Sequence, residues 1–156
     1  MGLFSFLKNA GSKLFKKSAP APASEIPTAA PVELSKEQAL EAEIRRLGLP
    51  IDNLSVELCE QIIVHGSTDT NADREKIILA LGNVEGIGCV DDRIDVTNPE
   101  PEASFYTVKK GDSLSLISKA QYGDPMKYQQ IFEANRPMLE HPDKIYPGQV
   151  LRIPAQ

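Results

Sequence analysis

Residues 106–118, YTVKKGDSLSLIS, read as a strand that turns into a helix. Residues 105–108 form the strand. Residues 110–114 form the turn, with Asp112 or Ser113 placed to cap the helix by accepting a backbone N–H. Leu114, Ile117 and Ser118 carry the helix on to Tyr122-Gly123-Asp124. Pro125 suits the first turn of a second helix, where its missing N–H would have no intrahelical partner. That helix carries Tyr128, Ile131, Phe132 and Ala134 and ends at Asn135. Residues 145–149 (IYPGQ) turn the chain again, and residues 150–154 (VLRIP) close the unit with a second strand. The predicted order over residues 104–154 is β-α-α-β.

The segments YTVKKGDSLSLIS, YGD (122–124), IFEAN (131–135) and IYPGQVLRIP (145–154) together resemble the LysM module at that family's spacing. LysM modules most often bind polymers of N-acetylglucosamine. The resemblance implies a sugar groove between residues 111–114 and the loop 135–145. The candidate glycan-binding residues are therefore Gly111, Asp112, Ser113, Leu114, Asn135 and Ile145. A unit of about 50 residues has a small core, so most of these positions serve folding first. Gly111, Gly123 and Gly148 are turn residues whether or not sugar binds.

Upstream, residues 35–97 predict the order α-β-β-α-β. Ser35 with Gln38 three residues on is a capping box. Ala39, Leu40, Ala42, Ile44 and Leu47 follow in helical register until Gly48 and Pro50 stop the helix. Leu54, Val56 and Leu58 alternate with Ser55, Glu57 and Cys59, as in a half-buried strand. Residues 61–66 (QIIVHG) predict a second strand, paired with the first as a hairpin through residues 59–61. Residues 70–81 predict a helix with Ile77, Ile78 and Leu81 as its apolar face, and residues 90–96 a strand with Val90, Ile94 and Val96 on one side. This order, with VHG (64–66) and GCVDDRIDV (88–96), resembles the BON module, a small α/β sandwich of bacterial envelope and stress-related proteins. That resemblance implies no chemistry by itself.

The segment joining the second helix to the last strand, residues 82–88 (GNVEGIG), is the most informative part of this module. The last four carbonyls of a helix lack intrahelical partners, and the helix dipole makes that end negative. Gly82, Gly86 and Gly88 allow left-handed turns that aim carbonyls in one direction. The result reads as a nest of neutral oxygens for a cation, or more plainly as a glycine cap and a tight turn. A phosphate loop does not fit, because phosphate sits at a helix N-terminus and the spacing is not GxGxxG.

At the other end, Leu3, Leu7, Ala10 and Leu14 recur at helical spacing, widened by Phe4, Phe6 and Phe15 and followed by Lys8, Lys13, Lys16 and Lys17. Residues 1–17 therefore predict a short amphipathic helix, interrupted at Gly11, that docks on the body, a partner or a membrane surface. Residues 18–34, rich in Ala and Pro, predict an extended linker, and residues 98–103 a shorter one. The apolar run precedes the lysines, the reverse of a secretory signal, which points to a cytoplasmic protein.

Composition narrows the function further. The chain has 156 residues, 41% hydrophobic and 25% charged, enough for two small domains. Its charge divides unevenly: +2 over residues 1–34, −7 over 35–98 and zero over 99–156. No segment has the basic balance of a nucleic-acid binder. No apolar run approaches a membrane span. Cys59 and Cys89 lie outside any zinc spacing and read as two reduced thiols. His65 and His141 have no nucleophile motif beside them, and Asp91 and Asp92 alternate across a strand, so the chain does not read as an enzyme.

The combination of the amphipathic start, a BON module and a LysM module resembles a family of small cytoplasmic potassium-binding proteins of bacteria. The resemblance implies reversible binding of potassium and larger alkali ions in preference to sodium, with compaction on binding and no resident cofactor besides K+. It implies two sources of backbone carbonyl ligands: Leu7, Ala10 and Ser12 in the N-terminal segment, and Gly82, Val84 and Ile87 in the glycine loop. Neutral carbonyls suit potassium, as in channel filters. Hard divalent ions favour carboxylates. The rival reading is a peptidoglycan-binding envelope protein that works through LysM. A further one is a membrane-surface adaptor that works through residues 1–17, without stable insertion. The sequence names no protein partner.

Overall fold

The computed structural model describes residues 2–6, 35–59 and 61–155. The chain opens with strand β1 (Gly2–Ser5). The first module then runs α1 (Lys36–Arg46), β2 (Asp52–Leu58), β3 (Ile62–Thr70), α2 (Asn71–Gly82) and β4 (Cys89–Asn98). The second runs β5 (Ser104–Thr107), α3 (Leu114–Tyr122), a 3-10 turn at Pro125–Lys127, α4 (Tyr128–Ala134) and β6 (Val150–Ile153). Both expected element orders are present, so the chain is α+β with a LysM-type unit at its C-terminal end.

Local chemistry accounts for the boundaries. The capping box of α1 forms: the Ser35 hydroxyl accepts from the Gln38 N–H, and the Gln38 side chain accepts from the Ser35 N–H. Leu40 and Ile44, one turn apart, are buried. Helix α2 is capped by the Thr70 hydroxyl, which accepts from the Asp73 N–H. The hairpin closes where expected, with the Cys59 N–H donating to the Gln61 carbonyl. Strand β3 continues past residue 66 to Thr70, which places His65 inside the strand rather than at its end.

The four-stranded sheet has the order β1-β4-β3-β2. Strands β3 and β4 are parallel, with α2 as their crossover, and the other pairs are antiparallel. One lateral row, Phe4–Val90–Ile62–Leu58, faces the helices and packs against Leu40, Ile44, Ile78 and Leu81. Along β4, Val90, Asp92 and Ile94 turn inward, while Arg93 and Asp95 face out. Asp92 is fully buried, held by Arg74 and by the N–H of Ile94. Asp91, as expected, lies on the other face.

The N-terminal helix expected over residues 1–17 is corrected at its start. Residues 2–5 are extended and pair with β4, Gly2 opposite Asp92 and Ser5 opposite Cys89. A helix this short is marginal in water. The free edge of β4 offers backbone partners instead. The two-residue period then separates exposed Leu3 from Phe4, which packs on the core. The remainder of that expectation, residues 7–17, and the linker 18–34 lie outside the described residues.

The second module pairs β5 with β6 antiparallel over a core of Val108, Leu114, Ile117, Ile131, Leu139, Leu151 and Ile153. Ser113 is the cap of α3, and Asp112 instead pins the preceding turn, accepting from the Lys109 N–H and the Tyr106 hydroxyl. Gly123 ends α3 with φ +73°, the left-handed conformation that suits glycine.

Candidate cation site at the glycine loop

Helix α2 is buried nearly all round, unlike α1, whose buried residues form one stripe. Ile77, Ile78 and Leu81 face the sheet as expected. A second stripe, Asn71, Glu75, Leu79 and Asn83 at four-residue spacing, faces the second module and the segment leading to it. The Asn71 side chain donates to the Glu100 carbonyl. Glu75 accepts from the Ala103 N–H and from Arg152 on β6. Leu79 is completely buried. Asn83 donates to the Val150 carbonyl at 2.9 Å and accepts from the Val150 N–H at 2.8 Å. The sequence reading missed this seam. Its only signal was the four-residue spacing of Asn71, Glu75, Leu79 and Asn83.

At its far end α2 stops in two tight turns. The Asn83 N–H donates to Leu79 and Leu81, the Val84 N–H to the Leu81 carbonyl, and the Ile87 N–H to the Val84 carbonyl. The residues Gly82, Val84 and Ile87 are all buried. Among the described residues, no turn or cap bond uses the carbonyls of Gly82 or Ile87, and that of Val84 keeps a lone pair beyond its one bond. Helices α1 and α3 place Arg or Lys in their last turns, whereas α2 places none. The negative end of its dipole thus has no side-chain cation within the helix.

The glycines act differently from expectation. Of the three, only Gly86 is left-handed, with φ +97°. Gly82 is the last helical residue. Its missing side chain makes room for Phe6, three of whose ring atoms would lie 2.1–2.3 Å from an added Cβ. The Phe6 N–H also donates to the Gly88 carbonyl at 2.8 Å. Strand β1 therefore leads into Phe6 at this loop. Leu7, Ala10 and Ser12 lie outside the described residues.

Beside the loop opens a cleft of about 250 Å³, lined in part by Lys36, Leu58, Cys59, Glu85, Gly86 and Cys89. Both cysteines are free thiols, Cys59 exposed and Cys89 half-buried. Among the described residues, no group of three or more His, Cys, Asp or Glu side chains gathers to hold a metal. Nor is any helix there long and apolar enough to cross a membrane.

The candidate glycan residues are largely occupied by the fold. Leu114 is in the core, and Ile145 packs against it. Asp112 and Ser113 hold the turn and cap described above. Asn135, 1% exposed, donates to the carbonyls of Ile131 and Arg152 and accepts from the Arg152 N–H. Gly111 is exposed and left-handed, φ +91°. Each polar side chain of this set thus makes at least one hydrogen bond within the fold.

Comparison with known proteins agrees with this architecture. Residues 106–154 match the LysM domain. Over 158 aligned positions, covering all of both chains, the sequence is 40% identical to the potassium binding protein Kbp of Escherichia coli O6:H1. It is also 34% identical over 117 residues to an uncharacterized protein of Deinococcus radiodurans. That alignment covers 68% of this chain and 45% of the other.

Proposed function

Because this chain belongs to the family of the potassium binding protein Kbp, we propose that it binds potassium reversibly at the glycine loop. It acts in the cytoplasm as a non-enzymatic sensor or buffer. In this reading residues 35–97 are a BON module, and the ligands are the backbone carbonyls of Gly82, Val84 and Ile87 together with those of Leu7, Ala10 and Ser12. The observation that carries it is the end of α2, a loop whose Gly82, Val84 and Ile87 are buried, with carbonyls to spare and no basic side chain in the last turn, and with the N-terminal strand docked on it through Phe6.

The chemistry selects the ion. Potassium sheds water easily and is held by several neutral carbonyl oxygens. A helix C-terminus adds a favourable potential. Hard divalent ions favour carboxylates, and among the described residues no group of three or more His, Cys, Asp or Glu gathers to hold one. Larger alkali ions fit the same logic as potassium. An ion that bridges the N-terminal segment and the loop favours the compact chain. By linkage it stabilises that state by roughly 2.7 kcal/mol at a hundredfold excess over Kd.

Thermal unfolding of the full chain in choline buffer, titrated with KCl or NaCl at matched ionic strength, tests this. A saturable rise in Tm with potassium and not with sodium is expected. Gly82→Ala, which pushes the Phe6 ring off the loop, removes most of that rise. Equal, non-saturating responses to both salts mean screening of an acidic module and overturn the reading.

A further inference from the structure

Phe6 holds the glycine loop at both ends. At the start of the loop, the far edge of the ring (Cε1, Cε2 and Cζ) occupies the space that a side chain at residue 82 would need. At its finish, the Phe6 N–H donates to the Gly88 carbonyl at 2.8 Å. Between these two holds the loop is drawn in once more, by the Ile87 N–H on the Val84 carbonyl at 3.2 Å. The ring is half-buried and packs against the core of the first module. The clasp is therefore anchored to the body as well as to strand β1.

The two contacts act differently on the carbonyls. The ring covers the Gly82 end with hydrocarbon and fixes where that peptide sits. The hydrogen bond aims the Gly88 carbonyl at residue 6, so it is not free to turn toward an ion. One residue thus sets both the span between the ends of the loop and the oxygens the loop presents.

We propose that Phe6 is a specificity-determining residue of the glycine-loop site, an inference that rests on the potassium reading above. Carbonyl oxygens bind both potassium and sodium. Preference comes either from a cage that does not shrink onto the smaller ion or from the number and field of the oxygens presented. Phe6 acts on both. Its ring and N–H fix the span, and its hydrogen bond keeps the Gly88 oxygen turned away. Without the ring, that bond alone holds residue 6. The loop is then free to contract around sodium and to recruit the Gly88 oxygen.

A merely structural role predicts something else. If Phe6 only stabilised the closed chain, its loss would lower the fraction of binding-competent molecules. That fraction weakens the apparent affinity for every ion by the same factor. The Kd values for potassium and sodium would rise together, and their ratio would stay the same. The ratio is the quantity that separates the two roles.

The test uses the full chain as wild type, Phe6→Ala, Phe6→Leu, Gly82→Ala and the Phe6→Ala/Gly82→Ala double variant. Thermal-shift titrations with KCl and with NaCl, at ionic strength held constant with choline chloride, give an apparent Kd for each ion. Far-UV circular dichroism checks folding. The wild type is expected to prefer potassium. In Phe6→Ala the ratio of the sodium Kd to the potassium Kd falls by about fivefold or more, the low end of ordinary coupling. Phe6→Leu, which keeps part of the apolar bulk, falls between the two. Gly82→Ala, which displaces the ring, lowers the ratio by itself and has no further effect on it in the Phe6→Ala background. If Phe6→Ala keeps the wild-type ratio, the inference is overturned and the potassium reading stands. If the wild type gives no saturable response to potassium, or the same response to sodium, the potassium reading itself falls. Should Phe6→Ala fail to fold or to bind either ion, a Phe6→Leu protein with the wild-type ratio overturns the inference.

Discussion

Two asparagines hold the same strand in the same way, one from inside its module and one from outside. Asn135 brackets the backbone of Arg152 at 2.8 and 2.7 Å, and Asn83 brackets that of Val150 at 2.9 and 2.8 Å. Residues 150 and 152 turn their peptide groups to the same side of β6, away from β5. A two-stranded sheet has a bare edge that needs satisfying, and here side-chain amides satisfy it. Asn135 does so at 1% exposure, at the end of α4, as part of the LysM fold. Asn83 is half-buried and belongs to the other module. The same bond pattern thus closes the LysM fold at one residue and joins the two modules at the other.

The largest way to break this comparison is at the Glu75 end of the seam. Glu75→Ala strands Arg152 and the Ala103 N–H in a buried site. It is expected to cost about 3–5 kcal/mol in denaturant unfolding, as for one partner of a buried ion pair. An unchanged midpoint would mean the seam contributes nothing. Next comes Asn135→Ala, which leaves buried peptide groups unpaired and is expected to cost about 2–3 kcal/mol. Its cost must be equal in potassium and in choline, because nothing ties Asn135 to the loop. A potassium-dependent cost would erase the distinction between the two asparagines.

The smallest effect separates the modules by pH. Tyr106 and Tyr122 both belong to the LysM domain. The Asp112 hydrogen bond holds the Tyr106 phenol above its ordinary pKa, and burial does the same for Tyr122. A raised folded-state pKa contributes stability that is complete below the unfolded value of about 10 and is lost as pH rises through the folded value. Melting temperature should therefore fall above about pH 10, and less steeply in Tyr106→Phe. An identical fall in that variant would discard this contribution.

The LysM unit was legible because its folding residues are its motif. Ser113 caps, Gly123 turns left-handed and Ile131 packs, so each fixed position performs a local task that sequence spacing reports. The first module was legible in its element order for the same reason, through the capping box at Ser35 and the alternation of β4. The start of the chain was misread because the spacing of Leu3, Leu7, Ala10 and Leu14 suits a helix. What decides residues 2–5 is an edge of β4 more than 80 positions away. The seam was invisible because Asn71, Glu75 and Asn83 look like a solvent face until Glu100, Val150 and Arg152 arrive opposite them. The candidate cation site was legible only as a glycine loop, since backbone carbonyls leave no trace in side-chain identity, and Gly82 proved to matter for closeness to Phe6 rather than for its own φ.

The pairing of β1 with β4 also sets an order of events during synthesis. Ser5 meets Cys89, 84 positions later. At roughly 5–20 residues per second, a ribosome takes about 4–17 seconds to cover that interval. Until then Phe4 and Phe6 have no strand to join, and the α1–β2–β3–α2 body must form without them. The last strand of the four-stranded sheet to emerge is the one that admits the first. A nascent chain stalled before Cys89 therefore carries a finished α2 whose terminal carbonyls have not yet been brought together with the segment that covers them.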